Sequence, residues 1–245
     1  MKKYQEFFNI AQDRLTQTLE NQGVSIEKAA RAMANSLKAK GIIHVFGCGH
    51  SQMFAQELFY RAGGLAGVNA ILPAHLSVSA GARLSTFQER LEGFAGEILK
   101  TQYTTPNDIM IVASISGRNA VPVDMALAAK EKGMTVIAVT SLIFSKAVTS
   151  RHSSGKKLPE VADIVLDVNC DEGDAVLSHP GLESKFCGMS TVISITMLQA
   201  CVAQTIENLL DEGITPDVWV SSNLEHGDEI NRKHMEKYMN IIQSL

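Results

Sequence analysis

Apolar positions along the chain change rhythm after about forty residues. Tyr4, Phe8, Ala11, Leu15 and Leu19 recur at helical spacing, and Ile26, Ala29, Ala30, Met33 and Leu37 repeat the pattern, so two helices are expected before the first strand. Ser25 suits an N-cap for the second, and Gly41 its C-terminal end. Short, mostly apolar runs follow at 42–46, 68–72, 109–113, 135–139 and 164–168. Those at 109–113 and 135–139 lack polar/apolar alternation, which is what burial on two faces produces. Helical stretches lie between and after them, at 53–62, 119–132, 189–210 and 229–242, with a weaker one at 85–102. Such β-α-β repetition implies a parallel sheet with right-handed crossovers and helices on both faces. The expected fold is α/β, a three-layer α-β-α sandwich on a five-stranded parallel sheet. A helical extension at 1–40 precedes one domain at 41–245, with no linker, repeat or low-complexity tract.

Composition narrows the partners. The 245 residues are 45% apolar and 20% charged, ordinary for a globular protein that buries its own core. A net charge of −4 argues against general attraction to nucleic acid or to an anionic membrane, so any bound anion must be held by local donors. Met1-Lys2-Lys3 has no apolar run behind it, and the most apolar stretch, 189–203, is interrupted by Ser190, Thr191, Ser194, Thr196 and Gln199. Neither a signal peptide nor a membrane span is expected. Cys48, Cys170, Cys187 and Cys201 show no Cys-x-x-Cys spacing, which fits reduced thiols in the cytoplasm.

Chemistry concentrates at two turns. Gly47-Cys48-Gly49-His50-Ser51 follows the first strand and leads into a helix; Ser114-Ile115-Ser116-Gly117-Arg118-Asn119 follows the third and leads into another. Free amides at a helix start, the helix dipole and nearby hydroxyls together form an anion seat. Serine and asparagine are also the preferred N-caps of any helix, so one such turn is ordinary and the pair carries the signal. Other phosphate motifs fail on spacing. Gln52 stands where a dinucleotide fingerprint needs its third glycine, while Ser150 and Lys157 replace the first glycine and the magnesium-binding hydroxyl of a P-loop at Gly155-Lys156.

The two turns resemble the phosphate loops of the sugar isomerase (SIS) domain family, the second as its Ser-x-Ser-Gly loop. Segments 128–137 and 161–165 are similar to matching parts of phosphoheptose isomerases, and the resemblance runs from about Gly41 to Leu210. It implies a five-stranded flavodoxin-like sheet, a homodimer, and a phosphosugar held by serines of both loops. The phosphate-binding set expected here is Gly49, His50, Ser51, Ser114, Ser116, Gly117 and Asn119. The whole chain looks closest to an uncharacterised subgroup of that family.

Departures from the family pattern bear on catalysis. Its isomerases and its muramic acid phosphate etherase branch carry a catalytic acid on the helix after the first loop, where this chain has Arg61. Glu57 lies one turn earlier on the same face and is either the acid or an ion-pair partner of Arg61. The long helix lacks the histidine of phosphoheptose isomerases, and Glu183 just before it is the nearest ionisable substitute. His75, beyond the second strand, and His226, near the last helix, are further candidates, His226 with the possibility of reaching a partner's site. Isomerisation of an aldose to a ketose needs a base to move a proton between adjacent carbons and an acid to serve their oxygens. A non-catalytic phosphosugar sensor and an amino-sugar-phosphate lyase or etherase are the alternatives. Asp171, Glu172, Asp174 and His179 match no recognised metal-ligand spacing, and no metal or cofactor is expected. The Arg151–Lys157 loop is either solvated or a lid over the phosphate.

Overall fold

A computed structural model describes all residues, 1–245. The helix α1 (Lys3–Lys38) leads into β1 (Ile43–Gly47), α2 (Gln52–Leu58) and β2 (Val68–Ile71). Two short helices, α3 (Ala82–Gln88) and α4 (Phe94–Lys100), precede β3 (Ile109–Ala113), α5 (Ala120–Glu131) and β4 (Thr135–Thr140). Then come α6 (Leu142–Ala147), α7 (Leu158–Val161), β5 (Ile164–Asp167), a hairpin of β6 (Ala175–His179) and β7 (Leu182–Gly188), α8 (Ser190–Asp211) and α9 (Gly227–Tyr238).

The first five strands form one parallel sheet in the order β2-β1-β3-β4-β5. Chain direction across the sheet reverses between β1 and β3, so the loops leaving these neighbours diverge and open a crevice at their carboxyl ends. Side chains along β3 sort to two layers. Ile109, Ile111 and Ala113 pack with Ala29 and Met33 of α1, Phe54 of α2, and Ile193 and Met197 of α8. Met110 and Val112 pack with Leu99 of α4 and Val121, Met125 and Ala129 of α5. A third cluster joins α9 to Ile42, Ala66 and Trp219, beneath the strand starts.

The expected pair of N-terminal helices is one continuous helix. Gly23 sits mid-helix in open space at a cost of about 1 kcal/mol relative to alanine, which tertiary anchoring outweighs. Gln22 accepts the Asp167 amide at 3.1 Å, and Arg14 donates to the Asn169 carbonyl at 3.1 Å, tying α1 across the end of β5. Ser25 is therefore an interior residue, and Ala39 rather than Gly41 caps the helix. The weak helix at 85–102 is broken by Gly93, which has φ +79°. The β6–β7 hairpin, absent from the expected elements, turns at Pro180-Gly181, a dipeptide that favours a turn. No helix is long and apolar enough to cross a membrane.

Candidate functional site

β1 ends where the chain must fold sharply. A Cβ on Gly47 would lie 2.5 Å from the Ser51 carbonyl oxygen, so only glycine admits this close approach. The Ser51 amide donates to the Cys48 carbonyl at 3.1 Å, and Gly49–Ser51 is a 3₁₀ turn preceding α2. Ser51 is thus not an extended N-cap: its backbone is helical and its side chain caps nothing, leaving the hydroxyl without a protein partner. The Gly49 and His50 amides also meet no protein acceptor.

The second loop carries the clearer asymmetry. Its carbonyls turn inward: Ser114 O accepts from Gly117 N, Ile115 O from Ser141 N, Gly117 O from Leu158 N and Arg118 O from Arg151 N, at 3.1, 2.9, 2.9 and 2.8 Å. The amides of Ser116, Arg118, Asn119 and Ala120 have no protein acceptor, and neither Ser114 nor Ser116 has its hydroxyl engaged. Gly117 makes the turn with φ +62°. The result is a concave set of donors at the start of a twelve-residue helix, an arrangement that attracts anions. The register pairs Gly47 with Ala113, so the two loops leave the sheet side by side.

Cations gather there although the chain is acidic overall. Burial and the neighbouring guanidiniums of Arg118 and Arg90 pull the Arg151 pKa below its ordinary value. Arg118 is oriented by a 2.9 Å bond from Nε to the Thr149 carbonyl, and Arg151 Nη1 donates to Asn119 Oδ1 at 2.9 Å. Asn119, expected to donate to phosphate, is therefore partly occupied within the protein: its side-chain oxygen accepts from Arg151. The 151–157 loop is pinned, since His152 Nε2 bonds Asp124 Oδ1 at 2.8 Å and the Ser153 amide donates to Glu92. It forms a fixed wall rather than a free lid.

The expected acid–base residues are spread over α2, the turn beyond β2, the β6–β7 hairpin and the approach to α9. Glu57 lies on α2 between Arg61 Nε at 3.2 Å and Gln199 Nε2 at 3.0 Å. Glu183 is exposed on β7 of the hairpin. His75 occupies a 3₁₀ turn beyond β2, its ring 4.9 Å from that of Phe94 and its Nε2 buried without a partner. His226 is 79% exposed ahead of α9, which packs beneath the opposite edge of the sheet. No group of three or more potential ligands is placed to hold a metal ion.

Sequence reasoning missed Glu89. Its carbonyl accepts the Val121 amide at 3.1 Å, fixing the residue to the first turn of α5. Burial raises the pKa of its carboxyl, against the lowering influence of Asn119, Arg90 and Arg151. Cys48 of the first loop has its thiol pushed up by burial and by the Glu89 charge. The sequence around it, Gln88-Glu89-Arg90-Leu91-Glu92, reads as an ordinary polar helix end and gave no signal.

A family model described as the SIS domain matches residues 6–141. A UPF0309 protein of Geobacillus kaustophilus is 41% identical over 240 residues, 98% of this chain and 96% of that protein. One of Caldanaerobacter subterraneus is 42% identical over 236 residues, 95% of this chain and 96% of its own length. The fold is similar to that of the phosphoheptose isomerase GmhA from Neisseria gonorrhoeae, with a TM-score of 0.55 and 19% identity over 86% of this chain and 97% of that one. A phosphoheptose isomerase from Francisella tularensis gives 0.54 and 20% over the same shares.

Proposed function

Because this chain belongs to the SIS-domain family and to its UPF0309 relatives, we propose that it binds a phosphorylated sugar and interconverts its aldose and ketose forms. One observation carries the binding: unpaired amides and serine hydroxyls stand at the adjoining ends of β1 and β3. Ser51, Ser114 and Ser116 donate to the phosphate, joined by the amides of Gly49 and His50 and by those around Gly117. Arg118 and Arg151 supply the neutralising charge. A phosphate dianion replaces several water contacts at once here, and hydrogen bonds to a charged partner are each worth about 1.5–3 kcal/mol.

The named neighbours are phosphoheptose isomerases, and the same substrate class suits a site in which these loops take the phosphate and the crevice takes the sugar chain. The active species is a homodimer. Tyr4, Phe8 and Leu19 of α1 are 62–73% exposed, an apolar stripe that a second copy would cover. Sedimentation at micromolar concentration should give a dimer.

Titration calorimetry with glucose 6-phosphate, fructose 6-phosphate and sedoheptulose 7-phosphate, each against its unphosphorylated sugar, tests the binding. Heat with at least one phosphate and none with its parent sugar is expected. Equal or absent binding of every pair removes the reading.

A further inference from the structure

Both ends of the 151–157 wall are bonded to the second phosphate loop: the Arg151 amide donates to the Arg118 carbonyl at 2.8 Å and the Leu158 amide to the Gly117 carbonyl at 2.9 Å. Within the wall stands an ordered chain of polar groups that phosphate binding does not use. The Ser154 hydroxyl lies 2.7 Å from His152 Nδ1, His152 Nε2 lies 2.8 Å from Asp124 Oδ1, and the Gly93 amide donates to Asp124 Oδ2 at 2.6 Å. Donor chemistry gives the chain a direction. The Ser154 amide donates to Nδ1 at 3.1 Å, so Nδ1 is the acceptor and the ring hydrogen sits on Nε2, facing the carboxylate. The Lys156 amide donates to Ser154 Oγ at 3.2 Å, which leaves the hydroxyl hydrogen for His152. Asp124 lies four residues beyond the first of α5, about 6 Å along the axis, so the chain stands beside the helix start whose amides form the seat. The His152 and Asp124 side chains are 9% and 15% exposed while Ser154 is open to solvent, so the serine is the end that meets a ligand.

The same order of groups activates the serine of hydrolases, here with the two ring nitrogens exchanged. Acyl transfer would also need free amides to hold an oxyanion, but those of Ser153, Ser154, Gly155, Lys156 and Lys157 all have acceptors. The arrangement suits proton transfer between oxygens instead. We propose that Ser154, His152 and Asp124 form a proton relay that opens and recloses the ring of a sugar whose phosphate is seated on the second loop. This rests on the phosphosugar reading above and supplies it with the open-chain form that isomerisation requires. Ser154 Oγ takes the proton of the hydroxyl on the anomeric carbon as its own proton passes to His152 Nδ1. The O–H electron pair becomes the second bond of the new carbonyl, and the bond from the anomeric carbon to the ring oxygen breaks with its electrons going to that oxygen. The ring oxygen then takes a proton from Ser154 as His152 returns the one it held. Asp124 stabilises the transient imidazolium through Nε2–H and is never protonated. Nothing is oxidised and no co-reactant is consumed. Ring closure on either face of the carbonyl exchanges the two anomers, which makes the step observable by itself. Ser154 touches the sugar; His152 and Asp124 act through it, Asp124 as a positioning residue.

The test pairs calorimetry with exchange NMR of the anomers of glucose 6-phosphate, fructose 6-phosphate and sedoheptulose 7-phosphate, each rate compared with that in protein-free buffer. Wild-type protein should accelerate anomer exchange of at least one sugar phosphate it binds. Ser154→Ala and His152→Gln should each lower that acceleration by about tenfold or more while changing affinity less than about threefold. Ser154→Thr, which keeps a hydroxyl, should recover part of the acceleration. Asp124→Asn should lose acceleration at preserved affinity and Asp124→Glu regain part of it, a split that a residue needed only for folding would not produce. Thermal unfolding of each variant checks that the fold persists. Undiminished acceleration in Ser154→Ala overturns the relay, and so does a sugar phosphate that binds wild-type protein while its anomers exchange no faster than in buffer. Parallel loss of binding and acceleration in a folded Ser154→Ala makes Ser154 a binding group and also overturns it. Absence of binding to every phosphate defeats the underlying reading instead, and the relay falls with it.

Discussion

The two edges of the parallel sheet treat buried polar groups in opposite ways. Beneath the strand starts, His44 and Asp108, with 0% and 1% of their surface exposed, belong to a closed network. His44 Nε2 faces Asp108 Oδ2 at 3.3 Å; Asn69 Nδ2 contacts His44 Nδ1 at 3.0 Å and Gln102 Oε1 at 2.9 Å; Ser244 Oγ donates to Asn69 Oδ1 at 3.1 Å. Asp108 also accepts the Ile42 and Thr105 amides at 2.8 and 2.6 Å. At the carboxyl edge, amides and hydroxyls face outward with no protein acceptor. Leaving a buried donor unpaired is costly, so a closed network marks structure and an open one marks a place kept for a ligand.

Breaking the closed edge should have the largest effect on the fold. Asp108→Ala strands two amides and the His44 ring, and should cost about 3–5 kcal/mol in denaturant unfolding. Burial opposes the Asp108 charge, but hydrogen bonds from His44, Thr105 and Ile42 outweigh it and hold the carboxyl below its ordinary 3.8. The stabilisation is thus fully present above that value and is lost as pH falls through the lower folded-state pKa. Asp108→Asn should flatten this acid limb of the stability curve, while phosphate affinity of the folded protein stays as in wild type.

At the open edge the consequences invert. Ser116→Ala removes a hydroxyl that bonds nothing in the protein, so the unfolding midpoint should hold while affinity for a sugar phosphate falls by about 1.5–3 kcal/mol in calorimetry. A Ser116→Ala midpoint well below wild type would mean that the hydroxyl supports the fold, and the contrast between edges would fail there. Gly117→Ala falls between the two classes. At φ +62°, its new Cβ would lie 3.1 Å from both Pro159 Cδ and Thr140 Oγ1, so about 1–2 kcal/mol of stability should go, together with some affinity.

The sheet was legible because burial on both faces writes itself into strand 109–113 as an unbroken apolar run and into strand 135–140 as four apolar residues between threonines. Two glycine–serine turns after neighbouring strands were legible for the same local reason. What escaped depended on long-range partners. The continuity of α1 across Gly23 rests on Gln22 and Arg14 meeting residues 167 and 169. Asn119 looked like a phosphate donor because nothing in its neighbourhood announces Arg151, and Glu89 was hidden because its environment is assembled from positions 48, 90, 119 and 151.

The smallest effect concerns Glu57, whose charge faces Arg61 across one helical turn with the arginine side chain 52% exposed. Exposed pairs at this spacing contribute less than about 0.5 kcal/mol, because water screens them and two long side chains must be ordered. The Gln199 contact at 3.0 Å survives in Glu57→Gln if the new amide presents its oxygen, which limits the loss further. Denaturant curves of Glu57→Gln and Arg61→Ala should therefore sit close to wild type, and so should their sugar phosphate affinities. A hundredfold loss of sugar phosphate proton exchange into deuterated water in Glu57→Gln at unchanged affinity would place an acid–base group on α2. The paired carboxylate would then belong to the chemistry of the open edge, and self-satisfaction would no longer separate structural polar groups from functional ones in this sheet.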